Sequence, residues 1–326
     1  MLNGTAAKTA IVLVGTAVMG PALHSYGSAD KDHYPALRTE MLVSTAWLQE
    51  HLADRGLVIL YIGPDRSRFD GGHIPGSRFV PLDELVEQRK DSLNELPPVA
   101  DLQALFESLG VGDNSRVVLY GDSSGLLAAR AYFTLDYLGH GDDASLLDGG
   151  LEKWRLEARP ISRDEPHAIR AHFTPHVQPE ILISSAAMLN LSRDVTSGRS
   201  SRYVVLDARP VKEFDGAVNS EAVPKTGHIA GAHSLHWKRL IASETMPVLP
   251  DPAELQSQFS RAGAAPGQTV VTYCRTGMKS SFTYFVAKYL GYRAAMYDGS
   301  VYEWVHGTGN ELVISPRPSI VGATRP

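Results

Sequence analysis

The sequence predicts an α/β protein of two similar domains in tandem, each a mostly parallel sheet with helices on both faces. Two observations carry this prediction. In each half, short β-branched runs alternate with helical runs. Three landmarks also recur in order. Gly72-His73-Ile74-Pro75-Gly76 is echoed by Gly227-His228-Ile229-Ala230-Gly231. Val117-Val118-Leu119-Tyr120-Gly121 is echoed by Val270-Val271-Thr272-Tyr273-Cys274, so Gly121 faces Cys274. Asp148-Gly149 and Asp298-Gly299 precede Trp154 and Trp304, each by 6 positions from the aspartate. His73 to Gly121 spans 48 positions and His228 to Cys274 spans 46. A unit this large is a domain, since solenoid modules repeat every ~20–50 residues.

Residues 1–29 carry one charge, Lys8, an apolar or small run from Thr9 to Met19, and the small residues Gly27-Ser28-Ala29. The run is shorter than the ~20 residues a spanning helix needs, which predicts a signal peptide. The mature chain is then expected in the periplasm or secreted, without a membrane span. Residues 38–160 form the first domain. Residues 161–180 hold Pro166, Pro175 and Pro179 without periodicity, which suits an extended connector over the surface, with a long ordered arm packed on both domains as the open alternative. Residues 181–315 form the second domain, and 316–326 a tail. In the second domain, Tyr203-Val204-Val205-Leu206 is a strand ending at Asp207, and Val270 to Tyr273 is another. Phe282, Phe285, Val286, Tyr289 and Leu290 share one helix face, and Gly291 stops that helix. Ala294 to Tyr297 is a third strand candidate. In such sheets ligands sit beyond the carboxyl ends of the strands, and Cys274 is at one such end.

Hydrophobic residues make up 43% of the chain, charged residues 21%, and the net charge is -5, with no basic run to suggest a nucleic-acid surface. The single cysteine excludes an intramolecular disulfide. The 12 scattered histidines offer no metal-ligand spacing, and no cofactor is implied.

Cys274-Arg275-Thr276-Gly277-Met278-Lys279-Ser280-Ser281 runs from a strand into a helix. Backbone amides and the helix dipole at such a turn favour an anion, Arg275 and Lys279 add charge, and Thr276, Ser280 and Ser281 add hydroxyls. Gly277 permits a tight path. The thiolate is favoured there, which marks Cys274 as a nucleophile rather than core filler.

This loop resembles the active-site loop of the two-domain rhodaneses, the thiosulfate and 3-mercaptopyruvate sulfurtransferases. Asp207-Ala208-Arg209, Glu213-Phe214, Gly227-His228-Ile229-Ala230-Gly231-Ala232 and Asp298-Gly299-Ser300 match the same family in order, over roughly Met41 to Ile314. The resemblance implies tandem rhodanese-like domains with only the second catalytic. It also implies a ping-pong transfer of sulfane sulfur from thiosulfate through a Cys274 persulfide to cyanide or a thiol. An arginine after the cysteine is similar to the thiosulfate branch, although Thr276 stands where that branch has lysine. Arg209, Arg275 and Lys279 are expected to hold the sulfonate, with Thr276, Gly277, Met278 and Ser280 shaping the loop and Asp207 supporting Arg209. A protein sulfur acceptor is the further partner expected. His228 recurs as His73 in the cysteine-free half, which suggests architecture rather than catalysis.

Four alternatives stand beside this reading. Gly121-Asp122-Ser123-Ser124-Gly125 fits a hydrolase elbow, but the repeat explains it as a degenerate copy of the cysteine loop. A phosphatase of this fold needs C-x5-R, and the sixth residue after Cys274 is Ser280. The remaining alternatives are a 3-mercaptopyruvate sulfurtransferase and a persulfide carrier that hands sulfur to a partner without turnover.

Overall fold

The computed structural model describes Met1, 36–121, 124–164, 166–221, Val223, 225–243 and 245–314. The predicted leader, the tail and Ser123 lie outside these residues.

The first half runs β1 (Leu42–Val43), α1 (Thr45–His51), β2 (Leu57–Gly63), α2 (Ser67–Asp70), β3 (Arg78–Pro81), β4 (Glu87–Arg89), β5 (Ser92–Glu95), α3 (Val99–Ser108), β6 (Arg116–Tyr120), α4 (Leu126–Tyr137), β7 (Ala144–Leu147) and α5 (Gly150–Leu156). The second half runs α6 (Ser185–Thr196), β8 (Tyr203–Asp207), α7 (Val211–Phe214), β9 (Ala232–Ser234), α8 (Pro252–Arg261), β10 (Thr269–Tyr273), α9 (Met278–Tyr289), β11 (Arg293–Met296) and α10 (Ser300–His306). The sheets, ordered β1-β7-β6-β2-β3 and β11-β10-β8-β9, are wholly parallel. β4 and β5 form a separate antiparallel ribbon.

The central strands β6 and β10 read as continuous apolar runs because both of their faces are covered. The repeated Gly-His-Ile is architectural in both halves. His73 stacks on Phe69 at 3.8 Å and His228 on Phe214 at 3.7 Å. Each imidazole Nδ1 bonds that phenylalanine's carbonyl. The following amides, of Ile74 and Ile229, donate to Tyr120 and Tyr273 Oη at 3.1 and 3.2 Å.

The halves meet at α4 and α9, which pack against each other and share one core cluster with the inner faces of both sheets. Tyr132 meets Phe285 edge-on at 4.9 Å, and Phe133 meets Tyr284 edge-on at 5.1 Å. These are the two copies of one contact, related by the repeat. Asp136 on α4 accepts from Tyr284 Oη at 2.5 Å and Lys288 Nζ at 2.6 Å on α9.

The connector keeps to the surface, exposed or half-buried among the described residues of 161–180 except at Phe173, and is anchored along its length. Phe173 is buried against Phe106, and His172 O accepts from the amide of Asp113. The amides of Ala171, His176 and Gln178 donate to carbonyls of Glu107, Leu138 and Tyr137. Proline removed donors, but the remaining amides found acceptors on the first half, so the segment is an ordered arm there.

Because α4 and α9 share a core, truncation at the seam should weaken the whole molecule. Phe285→Ala is expected to cost about 3–5 kcal/mol. Denaturant unfolding followed by far-UV circular dichroism should show one transition at lower denaturant. A midpoint within error of wild type would contradict the shared core.

Candidate active site

Cys274 follows the last residue of β10, and Gly277, at φ 84°, caps α9. Between them the chain reverses in three residues. Ser300 holds the reversal: its Oγ accepts from the amides of Cys274 and Gly277, both at 3.1 Å, and donates to Tyr297 O at 3.0 Å. From α10, Val301 N donates to Cys274 O at 3.2 Å and Tyr302 N to Arg275 O at 3.0 Å. A Cβ on Gly277 would collide with the Asp298 carboxylate, so glycine is needed there for space as well as for φ. The amides of Met278, Lys279 and Ser280 open the helix and have no intrahelical acceptor. With those of Arg275 and Thr276, they have no acceptor among the described residues. Ser280 Oγ sits 3.5 Å from Cys274 Sγ and 2.7 Å from Gly277 O, sharing one proton between them.

Cys274 is only 1% exposed. The charged and hydroxylic neighbours in sequence spoke against core filler, but the structure buries the thiol. The thiol belongs to the hydrophobic core cluster, with the Ser280 hydroxyl as a polar neighbour and Lys279 near enough for the two to interact electrostatically. Thr276 and Met278 are half-buried members of the same loop.

The three expected cations divide. Arg209 is 2% exposed and its guanidinium is spent inside the protein. Its Nε reaches both Asp207 oxygens at 3.0 Å, and its Nη2 reaches Asp207 Oδ2 at 2.6 Å and Gly227 O at 2.8 Å. Burial works against this charge, but Asp207 overrides it and holds the guanidinium firmly protonated. This corrects the expected donor clamp. A guanidinium buried this deeply must keep its carboxylate, so Asp207 and Arg209 brace the end of β8 instead. Arg275 stays at the loop, but Glu213 grips it through both Nε and Nη2. Lys279 is half-buried and makes no ion pair among the described residues. Burial lowers its pKa, as do Arg275 and Arg209, while negative charge at Cys274 and Glu213 opposes that.

Several contributors escaped the sequence reading. Ser300 lay inside a quoted motif without a role, and Glu213 likewise. His236 lies near Lys279, Lys238 and Arg239; burial and these positive neighbours lower its pKa. Asn94 and Arg130 reach the loop from the first half, and nothing in the local sequence flagged them. Asn94 Nδ2 donates to Thr276 O at 3.1 Å and Thr276 Oγ1 at 3.0 Å. Arg130 forks onto Asp298 at 2.6 and 3.0 Å.

At the equivalent place in the first half, Gly121 stands for the cysteine. A cavity of about 20 Å³ is lined there by Tyr120, Gly121, Ala128, Leu147, Pro247 and Phe282.

Glu95 lies beside Asp298, and burial followed by that negative charge pushes its pKa up to about 7. A raised folded-state value means the unfolded chain releases the proton first. Stability should therefore fall as pH rises from the ordinary carboxylate range to about 7. Glu95→Gln should leave melting unchanged at acidic pH and stabilise by about 2 kcal/mol at pH ~8. Calorimetry at both pH values checks this, and a gain confined to acidic pH would contradict it.

A family model for the rhodanese-like domain matches residues 44–157 and 193–306. A sulfur carrier protein of Thermus thermophilus is 31% identical over 278 residues, 81% of this chain and 93% of its own. A thiosulfate sulfurtransferase of Pseudomonas aeruginosa is 33% identical over 246 residues, 73% of this chain and 84% of its own. The crystal structure of a 3-mercaptopyruvate sulfotransferase from Escherichia coli superposes with a TM-score of 0.69 at 22% identity, covering 80% of this chain and 98% of that one. The doubled parallel sheet, the cysteine loop at the end of β10 and this twofold match place the chain in the rhodanese family, as a rhodanese-fold sulfurtransferase.

Proposed function

We propose that this protein moves a sulfane sulfur from thiosulfate to a thiophilic acceptor through a persulfide on Cys274. The observation that carries this reading is the Cys274 loop itself: a lone thiol at a strand-to-helix turn, beside a row of amides without acceptors and a lysine without an ion pair among the described residues. A thiolate there attacks the outer sulfur of thiosulfate. The sulfur–sulfur bond of the donor breaks, sulfite leaves with the bonding electron pair, and Cys274 carries the outer sulfur. Cyanide or a thiolate then attacks that terminal sulfur and Cys274 departs as thiolate. The amides at the start of α9 stabilise the anionic sulfur at both stages. Lys279 is assigned to the donor's sulfonate and Arg275 to orientation, with Thr276, Gly277, Met278 and Ser280 shaping the loop. A thiol that is 1% exposed needs a local opening to react, which favours small donors.

The domain limits of 38–160 and 181–315, and export with cleavage near residue 29, belong to this same reading. No helix among the described residues is long and apolar enough to cross a membrane. A persulfide carrier is the second reading, favoured by the buried thiol and by the Thermus relative's name.

Intact mass after thiosulfate treatment is the direct test. Wild type should gain one sulfur, Cys274→Ser none, and cyanide should discharge it as thiocyanate. Persulfide that only a protein discharges would favour the carrier. Donor choice is tested by Arg275→Gly. It should reduce thiosulfate use at least tenfold more than 3-mercaptopyruvate use, a difference of ~1.4 kcal/mol in transition-state binding. Equal losses would remove the thiosulfate assignment.

A further inference from the structure

The two halves treat their glycine caps differently. Gly125 caps α4 and Gly277 caps α9. The fifth residue beyond each cap leans over the other half's cap. From α9, Phe282 lies against Gly125, and a Cβ there would sit 3.3 Å from its ring. From α4, Arg130 lies against Gly277, and a Cβ there would sit 3.4 Å from Nη1. The hydrocarbon side has no thiol, whereas the charged side faces Cys274.

Arg130 is fully buried and divides its guanidinium between the halves. Nη1 and Nη2 take the two oxygens of Asp298, the residue that leads into Ser300. Nη2 also takes Asn94 O at 2.6 Å. Asn94 has φ 59°, a left-handed conformation that asparagine tolerates better than most residues. In that conformation its side chain reaches Thr276 O and Oγ1. Contacts, with the chain itself linking Ser300 to Asp298, form a closed path: Cys274, Ser300, Asp298, Arg130, Asn94, Thr276 and back into the loop. Only Arg130 and Asn94 come from the cysteine-free half.

We propose that Asn94, oriented by Arg130, is a positioning residue for the sulfur-bearing loop, so that the cysteine-free half sets the geometry at Cys274. Ser300 and α10 fix the two ends of the reversal, but the Thr276 carbonyl and hydroxyl have no other partner among the described residues. Without Asn94 the middle of the loop is free to turn, and the amides that serve the sulfur turn with it. Misplacements of about 1 Å in such arrangements can cost up to ~100-fold in rate. The proposal rests on the reading of Cys274 as the sulfur nucleophile.

The test uses Asn94→Gly in the full chain, because glycine keeps the left-handed backbone and deletes only the amide. Single-turnover persulfide formation from thiosulfate gives a rate constant and, separately, an amplitude. The rate constant should fall about tenfold, with the amplitude near one sulfur and melting within ~2 °C of wild type. A merely structural role would lower amplitude or melting temperature and leave the rate constant alone, and that outcome overturns the proposal. Thr276→Ala should slow the step too, and the double variant should be no slower than the slower single. Additive losses would show that the two residues do not act together and would also overturn it. Asn94→Asp, which sets a carboxylate against the Thr276 carbonyl, should be slower than Asn94→Gly; a wild-type rate overturns the proposal even if the glycine variant folds poorly. Wild type that gains no sulfur removes the sulfurtransferase reading instead. Alkylation of Cys274 by iodoacetamide then decides: at least fivefold faster in Asn94→Gly as the loop loosens supports positioning, and equal rates refute it.

Discussion

The catalytic half depends on one tight reversal, from the end of β10 at Tyr273 into α9 at Met278. A chain that turns this fast inside a protein strands its amides, and each unsatisfied group in a buried place costs about 1–3 kcal/mol. The Ser300 hydroxyl removes two of those costs by accepting from Cys274 and Gly277 together. Ser300 does so with φ at 55°, itself an unfavourable conformation for serine. The strain is tolerable because α10 begins there, and its first amides satisfy the Cys274 and Arg275 carbonyls. What remains uncommitted, the amides from Arg275 to Ser280 less that of Gly277, is what an anionic sulfur requires.

The pairing of the halves explains why a half without a thiol is part of the enzyme. α4 and α9 repeat the same aromatic contact twice, so the scaffold is close to symmetric. The chemistry laid on it is not. Leu249 N reaches Asp148, and the Phe282 ring lies against Gly125. Across the pseudo-axis, a buried ion pair takes the same place. Arg130–Asp298 is poor evidence for stability, because removing two charges from water costs about as much as their attraction returns. Its value is directional: a planar fork fixes two acceptors at once, one on each half.

Much of the fold was legible because periodicity is local. The apolar runs of β6, β8 and β10, the face of α9 and the stop at Gly291 all follow from spacing, and the repeat located each element's partner. The α9 start at Met278 precedes the first apolar face residue by a turn, since the capping turn carries the loop's polar groups. The cysteine loop was legible for the same reason. Arg209 was not, because sequence reports charge and not burial. Its neighbour Asp207 pairs in register with Tyr273, which places both charges in the core at the end of β8. Asn94 was invisible, since its partner lies 182 positions away and its role exists only once the halves dock. The anchoring of the connector was not legible, because proline density says where helices end, not which acceptors the remaining amides meet.

Charge accounting at the loop narrows what the site can do. Arg209 is neutralised by Asp207 and Arg275 by Glu213, so neither offers a full positive charge to an arriving anion. That leaves Lys279, whose own charge is weakened by burial and by those two arginines. A negative sulfur at Cys274 pushes the other way and holds the proton on Lys279. Among the described residues, the loop therefore sets one cation without a carboxylate partner, Lys279, beside a buried sulfur.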